Sequence, residues 1–85
     1  MATEAEIRSE VYAAVADAFM MDVSQVEANP QIRLREDLGA SSMQYYPLIA
    51  DLEDSFGIEL ELHEFQYVAR TVEDIVELVE KKLAA

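Results

Sequence analysis

The stretch Glu36-Asp37-Leu38-Gly39-Ala40-Ser41-Ser42-Met43 is a glycine turn running into two serines, and just after it Tyr45, Leu48, Ile49, Leu52 and Phe56 recur at helical spacing. A turn feeding a helix in this way holds Ser42 at the surface, beside backbone N–H groups with no partner inside the helix and beside the positive end of its dipole. An anion attached to the Ser42 oxygen would be stabilised there, which suits a phosphodiester. The same pattern also fits a plainer role, in which Ser41 or Ser42 caps the helix and does nothing more.

Following the chain onward, Gly57 is placed to end this helix, and Asp51, Glu53 and Asp54 fall mainly on its polar side. Pro47 breaks the pattern. A proline inside a helix costs roughly 3 kcal/mol or more, whereas at the first helical position it costs almost nothing. The regular helix is therefore predicted to start at or after Tyr45, near Tyr46, with Ser41 to Tyr45 in a looser turn.

Upstream, Ile7, Val11, Ala14, Val15, Ala18 and Phe19 share one face of a helix predicted from about Thr3 to Met20, opened by a Thr3–Glu6 capping box. From Met21 to Leu38 the pattern breaks into a long loop, with Asp22, Asn29 and Pro30 as turn formers and Val23, Val26, Ile32 and Leu34 as apolar anchors. Ser24 and Glu27 form a second box pattern and predict one short helical turn from Ser24 to Ala28. Downstream, Ile58 to Leu62 alternates apolar and acidic residues and would read as a strand by period, but the chain offers no matching second strand to pair with it. Leu62, Phe65, Tyr67 and Val68 are instead assigned to a short helix. Thr71 and Asp74 cap a last helix whose Val72, Ile75, Val76, Val79 and Leu83 face inward, with Lys81 and Lys82 at its negative end. The fold class is all-α: a small four-helix bundle of three longer helices and one short one, with a long loop after the first helix, in a single domain spanning residues 1–85.

Composition narrows the functions. Eighteen acidic against 6 basic side chains give a formal net charge of -12, which repels nucleic acid and favours basic partner proteins. With no cysteine, disulfides, thiolate catalysis and thiolate metal sites are absent. Acidic residues near the start do not fit a signal peptide, and no apolar run approaches the ~20 residues of a membrane span, so a soluble, cytoplasmic protein without membrane insertion is expected. The single histidine, His63, sits between acidic residues as a solvated side chain. A calcium loop starting at Asp51 would need glycine where Phe56 stands and glutamate where Leu62 stands, so no metal site is assigned. Nothing resembles a nucleophile–base constellation, and no reaction is assigned to the chain.

The turn and its position in the chain resemble the acyl carrier protein family, whose attachment motif reads Asp-Leu-Gly-x-Asp-Ser-Leu. Asp37, Leu38, Gly39, Ser42 and Met43 fill it, and Ser41 stands where the family usually has aspartate. Leu48 to Ile58 is similar to the family's second helix and its exit, and Thr71-Val72-Glu73-Asp74-Ile75 to the start of its last helix. The resemblance implies a carrier whose Ser42 receives 4′-phosphopantetheine from coenzyme A through a separate phosphopantetheinyl transferase. The arm would hold acyl groups as thioesters for enzymes of fatty-acid, polyketide or related lipid metabolism. It further implies partners of the acyl-activating, acyltransferase or ketosynthase type that dock basic patches on Gln44, Asp51, Glu53 and Asp54, with the carrier acting as a monomer. Tyr45, Leu48, Ile49, Leu52, Phe56, Phe65 and Tyr67 become candidates for sheltering an acyl chain, although the same residues would serve as ordinary core. Ser41, Gln44 and Pro47 depart from the acids common at these positions. Two other readings stay open: a carrier of an amino acid or other specialised acid, and an unmodified acidic interaction module.

Overall fold

The computed structural model describes residues 3–84, so residues 1, 2 and 85 of the expected 1–85 domain lie outside the described part. Helix α1 runs Glu4–Ala18. Thr3 caps it, its Oγ1 accepting the Glu6 N–H at 3.2 Å, as the box pattern requires. The helix ends two residues before the expected Met20, because Met20 turns into the left-handed region at φ 54°. There the Met21 N–H reaches back to the Ala16 carbonyl at 2.9 Å and the Met20 N–H to Asp17 at 3.4 Å, a Schellman closure usually built on glycine.

Helix α2 is Val23–Ala28 and starts one residue earlier than expected. Asp22 and Gln25 form its capping box in place of Ser24 and Glu27, with Gln25 Oε1 accepting the Asp22 N–H at 3.0 Å. Sequence contains both patterns; the Asp22 choice puts Met21 and the fully buried Val26 at the paired apolar positions that flank a cap. Helix α3 runs Ser42–Phe56 and closes on Gly57, whose φ of 65° needs no Cβ and whose N–H bonds Glu53 O at 2.8 Å. Helices α4, Leu62–Tyr67, and α5, Val72–Ala84, complete the chain. Three long helices thus form the bundle, with the short α4 beside them and the turn expected in the loop folded as the equally short α2. Residues 58–61 carry no strand, as the missing partner strand required.

The start of α3 corrects the proline argument. The helix is regular from Ser42, with Pro47 inside its second turn. Pro47 deprives the Met43 carbonyl of its usual i+4 donor, but Pro47 and Met43 are both exposed, so water can take the place of the missing N–H. The capping box of Ser41 and Gln44, together with the buried Tyr45 and Leu48, holds the first turn helical.

One core joins these elements. Helix α1 packs against α2, α3 and α5, and α4 packs against α3. Leu34, Leu60 and Ala69 enter the core from the connecting segments, and Leu34 is fully buried. Lys82 on α5 meets Glu64 on α4 at 2.9 Å, and Arg8 on α1 binds both Glu4 and Glu73. None of the described helices is long and apolar enough to cross a membrane.

The loop before α3 is stitched to the start of α5. The Val72 N–H bonds Ile32 O at 3.2 Å, Glu73 N–H bonds Pro30 O at 2.9 Å, and Leu34 N–H bonds Arg70 O at 3.0 Å, around an isolated bridge between Arg33 and Thr71. Truncating Leu34 should loosen loop and core together. Urea denaturation of Leu34→Ala is expected to show a loss of about 2–5 kcal/mol, against less than about 0.5 kcal/mol for the exposed Val23→Ala.

Candidate functional site

The turn before α3 is built from the backbone outward. Asp37 and Leu38 N–H groups bond Arg33 O at 2.9 and 3.2 Å, Gly39 N–H bonds Arg35 O at 3.1 Å, and Ala40 N–H bonds Leu34 O at 2.9 Å. Gly39 supplies the left-handed residue, φ 66°, that turns the chain toward the helix. Leu38 packs half-buried against the core.

Asp37 faces back into its own loop. Its carboxylate accepts the Arg33 N–H at 2.8 Å and the Arg33 guanidinium at 3.1 and 3.3 Å. These bonds, side chain first and backbone second, hold the Asp37 carboxyl below its ordinary range. Its task is to close the loop, and it makes no bond to Ser42.

Ser41 is the cap. It forms a capping box with Gln44, whose Oε1 accepts the Ser41 N–H at 3.0 Å. Ser42 is the first helical residue and exposed, and among the described residues its hydroxyl has no hydrogen-bond partner. The Ser42 and Met43 N–H groups likewise bond nothing there, while those of Gln44 and Tyr45 reach Ser41 O at 3.0 and 3.3 Å. A free hydroxyl therefore stands beside open amides at the positive end of the 15-residue helix α3. Met43 and Tyr46 flank it, 81% and 59% exposed. A phosphodiester on Ser42 fits this arrangement: the oxygen is accessible and the neighbouring donors are unsatisfied.

This protein is matched over residues 9–79 by the family described as phosphopantetheine attachment site. It is 36% identical over 83 residues to an acyl carrier protein of Thermotoga maritima, spanning 98% of this chain and 99% of that relative. It is 37% identical over 81 residues to one of Exiguobacterium, covering 95% and 99%, and 35% identical over 82 residues to one of Thermosynechococcus vestitus, covering 96% and 98%. The chain belongs to the acyl carrier protein family. A domain of this family is a non-catalytic carrier with a covalently attached 4′-phosphopantetheine, and the all-helical bundle agrees with that membership.

Around this site the structure distributes the other sequence candidates unevenly. Tyr45, Leu48, Ile49, Leu52 and Phe65 are buried in the common core, Phe56 is half-buried, and Tyr67 is 73% exposed on α4. Tyr45 lies against Phe65, ring centroids 5.9 Å apart. Of the acids on α3, Asp51 and Asp54 are exposed, whereas Glu53 is half-buried and accepts the Leu60 N–H at 2.9 Å. Glu53 thus latches the connection to α4, a role its place in an acidic run gave no sign of. Sequence reading also missed the backbone stitch to α5 and the burial of the Tyr45 hydroxyl, which has no partner.

Because Asp37 titrates lower folded than unfolded, its stabilising contribution is complete above the unfolded value near 4 and lost as pH falls through the folded value. Asp37→Asn should therefore be less stable than the parent at pH 7, with the difference shrinking below about pH 4. Urea titrations at a series of pH values read this directly; a difference that stayed constant to pH 2 would remove the carboxylate from the account.

Proposed function

We infer that the chain is a single acyl carrier domain, residues 1–85, in which Ser42 bears the phosphopantetheine arm. The observation that carries this is the division of labour at the start of α3. Ser41 and Gln44 do the capping, so the Ser42 hydroxyl is left without a structural task. A hydroxyl needs no activating base within the carrier, since a separate phosphopantetheinyl transferase would bring one along with coenzyme A. The arm's thiol supplies the thioester linkage that holds an acyl group for partner enzymes. Open amides at Ser42 and Met43 favour the charged phosphodiester, and the exposed flank of Met43 and Tyr46 gives partners an apolar foothold next to it.

Docking would fall on the outer side of α3. Asp51 and Asp54 present their carboxylates to solvent, Gln44 is engaged in the cap, and Glu53 is engaged with Leu60. The negative contact is thereby moved away from Ser42 toward the middle and end of the helix, with Tyr46 and Pro47 between. This favours dedicated acyl-activating, acyltransferase or ketosynthase-type enzymes whose basic patch is offset in the same way. The absence of cysteine and the charge of -12 favour a cytoplasmic monomer.

Intact mass after incubation with coenzyme A and a broad-specificity transferase should show one added phosphopantetheine, and Ser42→Ala should show none. Ser41→Ala should still be modified while losing about 0.5–2 kcal/mol of stability. Modification at Ser41 would transfer the site to the cap, and an unmodified parent chain would leave an acidic interaction module. Reversing Asp51 and Asp54 to lysine should slow loading by the protein's own partners about tenfold or more at low salt, an effect that fades as salt rises. Unchanged loading would move docking off this face.

A further inference from the structure

A groove of about 620 Å³ runs between the first turns of α1 and the end of α3. Ala5, Glu6, Ser9 and Glu10 line it from α1, and Ser55 and Phe56 from α3. At roughly 30 Å³ per water in the liquid, this is room for several side chains and far more than a single ion needs. Phe56 is its one large apolar side chain, half-buried against the core, whereas Ala5 and Ser9 are small and exposed.

The charged side chains lining the groove are Glu6 and Glu10, neighbours one helical turn apart. Neither has a cation within 4.0 Å among the described residues, and Glu6 meets only the Thr3 hydroxyl, at 3.2 Å, besides. Arg8, the one base on α1, is committed to Glu4, Glu73 and the Tyr12 hydroxyl, and none of the chain's 6 basic residues lines the groove. Two unpaired carboxylates beside an apolar ring are complemented by cations flanking an apolar side chain. The walls are helices rather than sheet edges, so an extended segment would find no ladder to pair with. A helix brings its own backbone bonds, and small Ala5 and Ser9 let it lie close along α1.

We propose that this groove docks a basic amphipathic helix of a partner protein, with an apolar side chain over Phe56 and Lys or Arg residues one turn apart on Glu6 and Glu10. Ser55 lies at the far end of α3 from Ser42, about 20 Å along the axis at a rise of about 1.5 Å per residue. A helix seated there leaves the Ser42 end open, so one protein holds the domain while its serine end engages another. The proposal adds α1 to the docking surface and does not depend on whether Ser42 is modified.

The test titrates the full, unmodified chain, followed by its backbone amide resonances, with a synthetic alanine-rich peptide of roughly 18 residues, long enough to be helical. Its two lysines stand one turn apart and flank a leucine on the same face; a second peptide of the same composition puts the leucine on the opposite face. The first peptide should shift the amides of Ser9, Glu10, Ser55 and Phe56 and bind about fivefold or more tightly than the second. The double variant Glu6→Gln, Glu10→Gln, which keeps a capping partner for Thr3, should weaken the first peptide about fivefold or more at low salt. Ser9→Phe fills the groove without changing charge and should weaken it similarly, with circular dichroism showing unchanged helix. Equal binding of the two peptides reduces the groove to general attraction between opposite charges and overturns the assignment. No binding of the first peptide, shifts confined to Asp51 and Asp54, or parental binding by Ser9→Phe overturns it as well.

Discussion

The backbone stitch between the loop before α3 and the first turn of α5 is the constraint on which the rest depends. Every helix begins with N–H groups that the helix cannot satisfy. In α5 they are all taken: Thr71 N–H by Asp74 Oδ2, Val72 by Ile32 O, Glu73 by Pro30 O, and Asp74 by Thr71 Oγ1. The carbonyls that do this belong to the loop, so the same bonds that begin α5 also fix where residues 30–34 lie. Leu34 can then enter the core, and the short span from Leu34 through Gly39 to Ser41 has one route to the start of α3. A loop this long would otherwise be costly to order.

The amides at the start of α3 are treated differently. Ser41 and Gln44 exchange a capping box, and the donors of Ser42 and Met43 stay open. The contrast between the two helices gives Ser42 its meaning in physical terms. One helix start is consumed by the scaffold; the other is held rigid by that scaffold and left facing outward. A phosphodiester attached there would gain from this because the donors are oriented before it arrives, so little ordering entropy would remain to be lost on attachment.

Much of this was legible in the sequence, and the failures have identifiable causes. The periodicity of Ile7, Val11, Ala14 and Val15, and of Val72, Ile75, Val76 and Val79, found α1 and α5 because both bury a continuous stripe. Thr3 and Thr71 marked the starts of these two helices, and Gly57 the end of α3, through cap chemistry that is local. Pro47 misled because the cost of a helical proline depends on whether the abandoned carbonyl meets water, which is a matter of facing and not of residue type. Ser24 misled because two overlapping box patterns compete, and only tertiary burial of Val26 decides between them. The stitch itself uses backbone atoms between residues nearly forty positions apart and leaves no side-chain signature. Glu53 shows the same blindness: its acidity was visible, its bond to Leu60 N–H was not.

Folded chains satisfy nearly all their buried donors and acceptors, and in a domain of 85 residues with modest stability each exception is a sizeable fraction of the whole. Among the described residues the buried side-chain exception is the Tyr45 hydroxyl, in the first turn of α3. The Ser42 and Met43 amides nearby are also without partners, but they face solvent. Elsewhere, carboxylates close caps at Glu61–Glu64 and Thr71–Asp74, pair with Arg8 and Lys82, and latch the α3–α4 connection. Phenylalanine in place of Tyr45 would fill the same space without burying a lone hydroxyl, so packing alone does not account for the tyrosine.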